Sequence, residues 1–311
     1  MRALFRTLAC LTAAVLLTSP VAAQQGPDPD ADLTVARPVW AAGAGPRVVI
    51  DGAHHNFHTV DGRFAPFAAV LRGDGYRVEG RATPFTAEGL KDVDILVVSN
   101  ALNAVNDDSA GWKLPTPSAF TPAEIAAVKT WVEGGGSLLL IADHMPFAGA
   151  AESLGNAFGF RFSNGFARRA KGGGPDLFSV KDGTLVDDPV TRGRDASERV
   201  TRLRTFTGSA FRAPALARAL VVLPKGYVSL EPAVAWTFDD QTPKQDVAGA
   251  LQGAVMPVGK GRIAVFGEAA MFSAQVGGPN RNKMGFNAPD APRNKQFMLN
   301  LVRWLAGVLP D

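Results

Sequence analysis

Four short runs of almost unbroken apolar residues constrain this chain more than any other feature. They are RVVI at 47–50, DILVVS at 94–99, SLLLIA at 137–142 and RIAVF at 262–266. A strand with one wet face alternates apolar and polar residues, whereas a strand apolar at every position must be covered on both faces. Segments of helical period separate the runs. Residues 64–71 carry apolar side chains at helical spacing and are stopped by Gly73-Asp74-Gly75. Thr121-Pro122 opens a second helix with a capping residue, a proline in the first turn and Glu124 nearby, and Gly134-Gly135-Gly136 ends it. This β-α-β-α order predicts an α/β fold, a parallel sheet with helices on both faces.

Further strands are expected at 76–81, 219–223 and 233–238. A hairpin-like pair follows at 250–257 and 262–266, then a terminal amphipathic helix at 294–308. Residues 165–215 are less regular and read as an insertion. Their basic, glycine-rich run at 168–174 is either a lid or a solvated surface loop. Residues 24–45, rich in Pro, Asp, Ala and Gly, are expected as a disordered leader before one domain at 46–309.

The first 23 residues carry Arg2 and Arg6, an apolar stretch at 8–17, the Ser19-Pro20 break and small residues at 21–23. That is the pattern of a secretory signal peptide cleaved near Ala23, which implies a periplasmic or secreted protein. The apolar stretch falls short of the roughly 20 residues a spanning helix needs, so no stable membrane insertion is expected after cleavage. Cleavage also changes the composition. The chain has 32 basic and 29 acidic side chains, and loss of Arg2 and Arg6 leaves 30 against 29, a balance that predicts no nucleic-acid partner. Cys10 is the only cysteine, so the mature chain would have no disulfide, thiolate ligand or cysteine nucleophile.

In an open α/β sheet, ligands bind beyond the carboxyl ends of the strands. Here those ends are polar: Asp51, His54, His55, Asn56 and His58 after the first run, Asn100 and Asn103 after the second, Asp143-His144 after the third and Glu268 after the last. All four histidines of the chain fall in this set. His55, His58, Asp143 and His144 offer the nitrogen and oxygen donors that a divalent ion such as zinc accepts. Glu268, His54 and Asp51 are the candidate catalytic groups, a histidine paired with a carboxylate serving as general base. Asn56, Asn100 and Asn103 are candidates for substrate binding. Structural roles compete with each assignment, since Asp51 could cap its loop and Asn100 and Asn103 could be turn residues. No G-x-S-x-G elbow, Walker loop, dinucleotide fingerprint or H-E-x-x-H motif occurs.

The segments VVIDGAHHNFHT, DILVVSNAL, FTPAEIAAVKTWVEGGGSLLLIADH, GKGRIAVFGEAAMFS and NKQFMLNLVRWLAG resemble a bacterial domain family of unknown function. That family is similar in fold to class I glutamine amidotransferases and is related to ThuA-like and intraflagellar-transport GIFT domains. The resemblance implies a single flavodoxin-like sheet and a pocket at the strand ends. It does not carry over glutaminase activity, because the amidotransferase cysteine is absent. Two functions are therefore expected to compete. One is a hydrolase acting on a small polar or carbohydrate-like substrate with metal- or histidine-activated water. The other is a non-catalytic domain binding a glycan or a protein in the same cleft.

Overall fold

Each apolar run divides its side chains between two cores, which is why polar residues stand only at its ends. Val48, Ile50, Ile95, Val97, Leu139, Ile141, Ala264 and Phe266 enter one core. Val49, Leu96, Val98, Leu138, Leu140, Ile263 and Val265 enter the other. Each large aliphatic side chain so buried contributes about 1.5–3 kcal/mol against the entropy of ordering the chain. The computed structural model describes residues 25–171 and 175–311; the expected signal peptide and residues 172–174 of the basic run lie outside the described residues.

The main sheet has nine strands: β1 (Arg47–Asp51), β2 (Arg77–Arg81), β3 (Ile95–Ser99), β4 (Ser137–Ile141), β5 (Arg161–Phe162), β6 (Phe211–Arg212), β7 (Arg218–Val222), β8 (Leu251–Val258) and β9 (Gly261–Phe266). Its order is β2-β1-β3-β4-β9-β8-β6-β5, with β7 also paired to β8. The first five strands are parallel neighbours in the flavodoxin order, so the chain reverses direction of winding between β1 and β3. Helices α1 (Ala65–Gly73) and α4 (Asn294–Leu305) cover one face; α2 (Pro122–Gly134) and α3 (Phe147–Ala157) cover the other. The α/β fold with a mostly parallel central sheet is as expected from the runs.

The hairpin-like pair expected near the end of the chain is β8-β9, and β5, β6 and β7 continue the sheet beyond it as an antiparallel wing. Two expectations are corrected. Residues 233–238 form a loop, tied to the segment 112–114 by a bridge between Lys113 and Val234, with Trp236 at φ +65°. Residues 25–45 are laid against the domain instead of forming a disordered leader. Gly26–Pro27 pairs with Ala274–Gly277, the Val39 amide donates to Asp74, and Trp40 packs edge-on against Tyr76 at 4.6 Å. Within the irregular region, Phe166–Arg169 pairs with Tyr227–Leu230, and Asp176–Ser179 with Arg202–Thr205. Among the described residues no helix is long and apolar enough to cross a membrane.

Candidate functional site

The reversal lies between β1 and β3, and the polar residues that follow β1, β3, β4 and β9 stand at the same carboxyl end of the sheet. The loop after β1 sends its histidines to different places. His54 turns toward the α2 face, its ring 4.6 Å from Phe85 and 4.7 Å from Phe120. Its Nδ1 lies 2.9 Å from Asp51 Oδ2 and its Nε2 2.8 Å from Glu124 Oε1. Burial alone would lower the imidazole pKa, but the hydrogen bonds and charges of Asp51 and Glu124 outweigh it and hold the value above the ordinary one. Glu124 is also the N3 residue of the α2 capping box and accepts from the Thr121 and Phe85 amides. Burial opposes its ionisation, yet these donors and His54 bring its carboxyl down to about 2. Asp51, fully buried, further accepts from Ala53 and from Asn56. With both nitrogens taken, His54 is a clamp between loop and helix and cannot serve as a base toward a ligand.

His58 turns to the opposite face, against Phe64 at 4.6 Å and near Gln275. Burial, assisted by the charge of Arg63, keeps its pKa well below the usual value, so it is a neutral imidazole. His55 takes φ +47° and points outward, its Nδ1 3.1 Å from the exposed Asp107. The expected ion site of His55, His58, Asp143 and His144 is therefore not assembled. Among the described residues no group of three or more His, Cys, Asp or Glu could hold a metal ion. The physical reason is that neighbouring residues of one loop are drawn to opposite faces of the sheet.

At the end of β3, Asn100 adopts φ +49°, a left-handed turn that asparagine tolerates and most residues avoid. A strained strand-end turn of this kind displays a nucleophile in hydrolases, but an amide is none. The Asn100 Oδ1 instead accepts from the Asp143 amide and so joins the ends of β3 and β4. Asn56 and Asn103 are likewise engaged: Asn56 with Asp51 and the His54 amide, Asn103 with the Val105 amide and the Ser118 carbonyl.

His144 is enclosed by rings. It stacks on Phe166 at 4.5 Å, meets Trp236 edge-on at 4.7 Å, and lies 5.6 Å from Phe147 and 6.1 Å from Trp112. Its Nδ1 donates to the Met145 carbonyl at 2.7 Å, which leaves Nε2 as an acceptor without a protein partner among the described residues. Trp236 is 55% exposed and forms the outer wall. Sequence reasoning found His144 but missed Trp236 and Glu124. Trp236 was hidden in a segment of strand-like composition, and Glu124 looked fully accounted for by capping.

Glu268 lies beneath this surface, 1% exposed, with its two oxygens accepting from the Ala270 and Met271 amides. Gly208, at φ +139°, roofs it: a Cβ there would meet the Gly267 carbonyl at 2.3 Å. Burial, then the neighbouring Asp143, pushes the Glu268 carboxyl well above its ordinary pKa. A raised folded pKa gives stability that is present below about 4.5 and lost as pH rises toward the folded value. Glu268→Gln removes this titration. Over pH 5 to 9, urea denaturation should show wild type losing stability relative to Glu268→Gln by up to about 1.4 kcal/mol per pH unit. A difference that stays flat with pH would show the carboxyl to be charged throughout.

No protein-family model matches the chain, and no curated protein matches it. Solved structures do. The mmIFT52 N-terminal domain matches with a TM-score of 0.57 at 15% identity, covering 83% of this chain and 96% of its own. Cytoplasmic Protein STM1381 from Salmonella typhimurium LT2 matches with a TM-score of 0.50 at 12% identity, covering 85% and 100%. A ThuA-like protein from Bacteroides uniformis matches at 0.47 and 14%, covering 86% and 94%. At these identities the likeness is one of fold alone.

Proposed function

We propose that this chain is an exported, non-catalytic binding domain whose strand-end cleft takes a glycan or a similar small polar ring. The observation that carries the proposal is His144: an imidazole with one free nitrogen, set in an aromatic wall whose outer member, Trp236, is half exposed. A sugar ring has apolar faces that pack on an indole and hydroxyls that donate to a free imidazole nitrogen, which is the chemistry on offer. Hydrolysis is less well supported. The turn after β3 presents an asparagine, both nitrogens of His54 are tied to carboxylates, and both oxygens of Glu268 are held by amides. Export is supported by the basic, apolar and small-residue succession of residues 1–23.

The test is calorimetric titration with a panel of mono- and oligosaccharides, the mixtures being assayed afterwards for released sugar. Wild type is expected to bind at least one member without turnover. Trp236→Ala should weaken that binding tenfold or more while leaving the melting temperature within about 2 °C, since an exposed side chain contributes little to folding. Absence of heat with every saccharide overturns the ligand class, and released sugar overturns the non-catalytic assignment.

A further inference from the structure

At the outer edge of the antiparallel wing lies a cavity of about 400 Å³, lined by residues of β5 and β6, by Glu152 of α3, by Glu231 and by the segment 245–250. None of its lining residues belongs to the strand-end site, and its size is in the range of small-ligand pockets. Its charges are arranged unusually. Arg161 and Arg212 stand directly opposite each other across the antiparallel β5-β6 pair, and both are exposed. Like charges in that position repel, and neither arginine has a carboxylate partner among the described residues. Two carboxylates, Glu152 and Glu231, line the same cavity, but neither is paired with Arg161 or Arg212 among the described residues, so the two guanidiniums form a seat for a further carboxylate, which arginine binds with two parallel hydrogen bonds.

The cavity also carries the complementary sign. Ser163 Oγ donates to Glu231 Oε1 at 2.7 Å and lies 2.6 Å from the Oγ of Ser229, which is fully buried. Because the Ser163 proton goes to Glu231, Ser229 donates to Ser163, and this relay holds the Glu231 carboxylate in place. Its second oxygen has no protein partner among the described residues. Val247 and Phe162, both largely buried, also border the cavity.

We propose that this cavity binds a small zwitterion of amino-acid or dipeptide size. Its carboxylate sits between Arg161 and Arg212, its ammonium on Glu231, and its apolar side chain against Val247 and Phe162. A ligand with one charge answers either the arginines or the carboxylates, but not both.

The probes are L-leucine, L-alanyl-L-leucine, isovalerate and isopentylamine, titrated calorimetrically into the full mature chain at neutral pH and moderate salt. One or both zwitterions are expected to bind, and the carboxylate-only and amine-only probes to bind at least tenfold more weakly. Whichever of leucine or the dipeptide binds more tightly identifies the size of the ligand. Arg212→Ala, a change on the exposed rim, and Glu231→Gln should each weaken the zwitterion at least tenfold, whereas Trp236→Ala should leave it unchanged. If neither zwitterion binds, the proposal fails. Equal binding of isovalerate reduces the site to an anion seat and also overturns it. So does retained affinity in Arg212→Ala, the variant whose folding is least in question.

Discussion

Replacing Arg303 with alanine is expected to lower the free energy of unfolding by about 3–5 kcal/mol, the range seen when one partner of a buried ion pair is removed. The Arg303 side chain is 1% exposed, and its Nε and Nη2 reach the two oxygens of Asp74 at 2.8 Å each. Its Nη1 lies 3.0 Å from Glu198 Oε1, and Nη2 also donates to the Arg37 carbonyl. Among the described residues, alanine would leave Asp74, which is fully buried, with only the Val39 amide as a donor. Glu198 keeps Arg194 and should suffer less. Lysine at 303 retains a charge but not the planar fork, so Arg303→Lys is expected to recover less than half of the loss. Because Arg37 and Val39 lie in the segment 25–45, limited proteolysis there should accelerate in both variants. Urea denaturation of Arg303→Ala within about 1 kcal/mol of wild type would show that the network contributes nothing to stability.

His54→Ala is the second large effect expected, about 3 kcal/mol at pH 5.5. Two buried carboxylates lose the cation between them, although each keeps other donors, which places the cost at the lower end of the range. The clamp also has a pH signature. His54 has a folded pKa above the unfolded value of about 6.5, so its contribution is full below that value and fades as pH rises beyond it. Glu124 has a folded pKa of about 2 against an ordinary 4.5, so its contribution is full above 4.5 and is lost as pH falls toward 2. Both are complete only between about pH 4.5 and 6.5. The difference in stability between wild type and His54→Ala should therefore be largest there and shrink by pH 9. Glu268 titrates in both proteins and cancels in that difference. A difference independent of pH would show the His54 pKa to be unshifted, and one that grows as pH rises through about 6.5 would show His54 to be neutral in the folded protein.

The regular elements were legible because their signals are local. Thr121, Pro122 and Glu124 act within one turn of helix, and a run such as ILVVS at 95–99 has only one way to be buried on both sides. The failures have equally definite causes. Residues 25–45 lack hydrophobic periodicity, yet they are held by long-range partners: the Lys295 ammonium on Asp32, Asp74 on the Val39 amide and Tyr76 on Trp40. Residues 233–238 have the composition of a strand, but among the described residues their one pairing partner is a loop segment, 112–114, which engages Val234 in a single bridge.

Which end of the sheet bears the polar residues, and which residues stand there, follow from the sequence alone. A strand buried on both faces leaves only its ends for polar chemistry, and the chain order puts Asp51, Asn100, Asp143 and Glu268 at the same end. What those residues do was decided by tertiary structure. A loop residue can turn to either face of the sheet, and burial energy dictates the choice. Thus His54 goes to Glu124 and two phenylalanine rings, His58 to Phe64 on the other side, and His55 to the surface. Three histidines close together in the sequence became one clamp, one neutral core residue and one surface residue, and the fourth, His144, keeps one free nitrogen beside an exposed tryptophan.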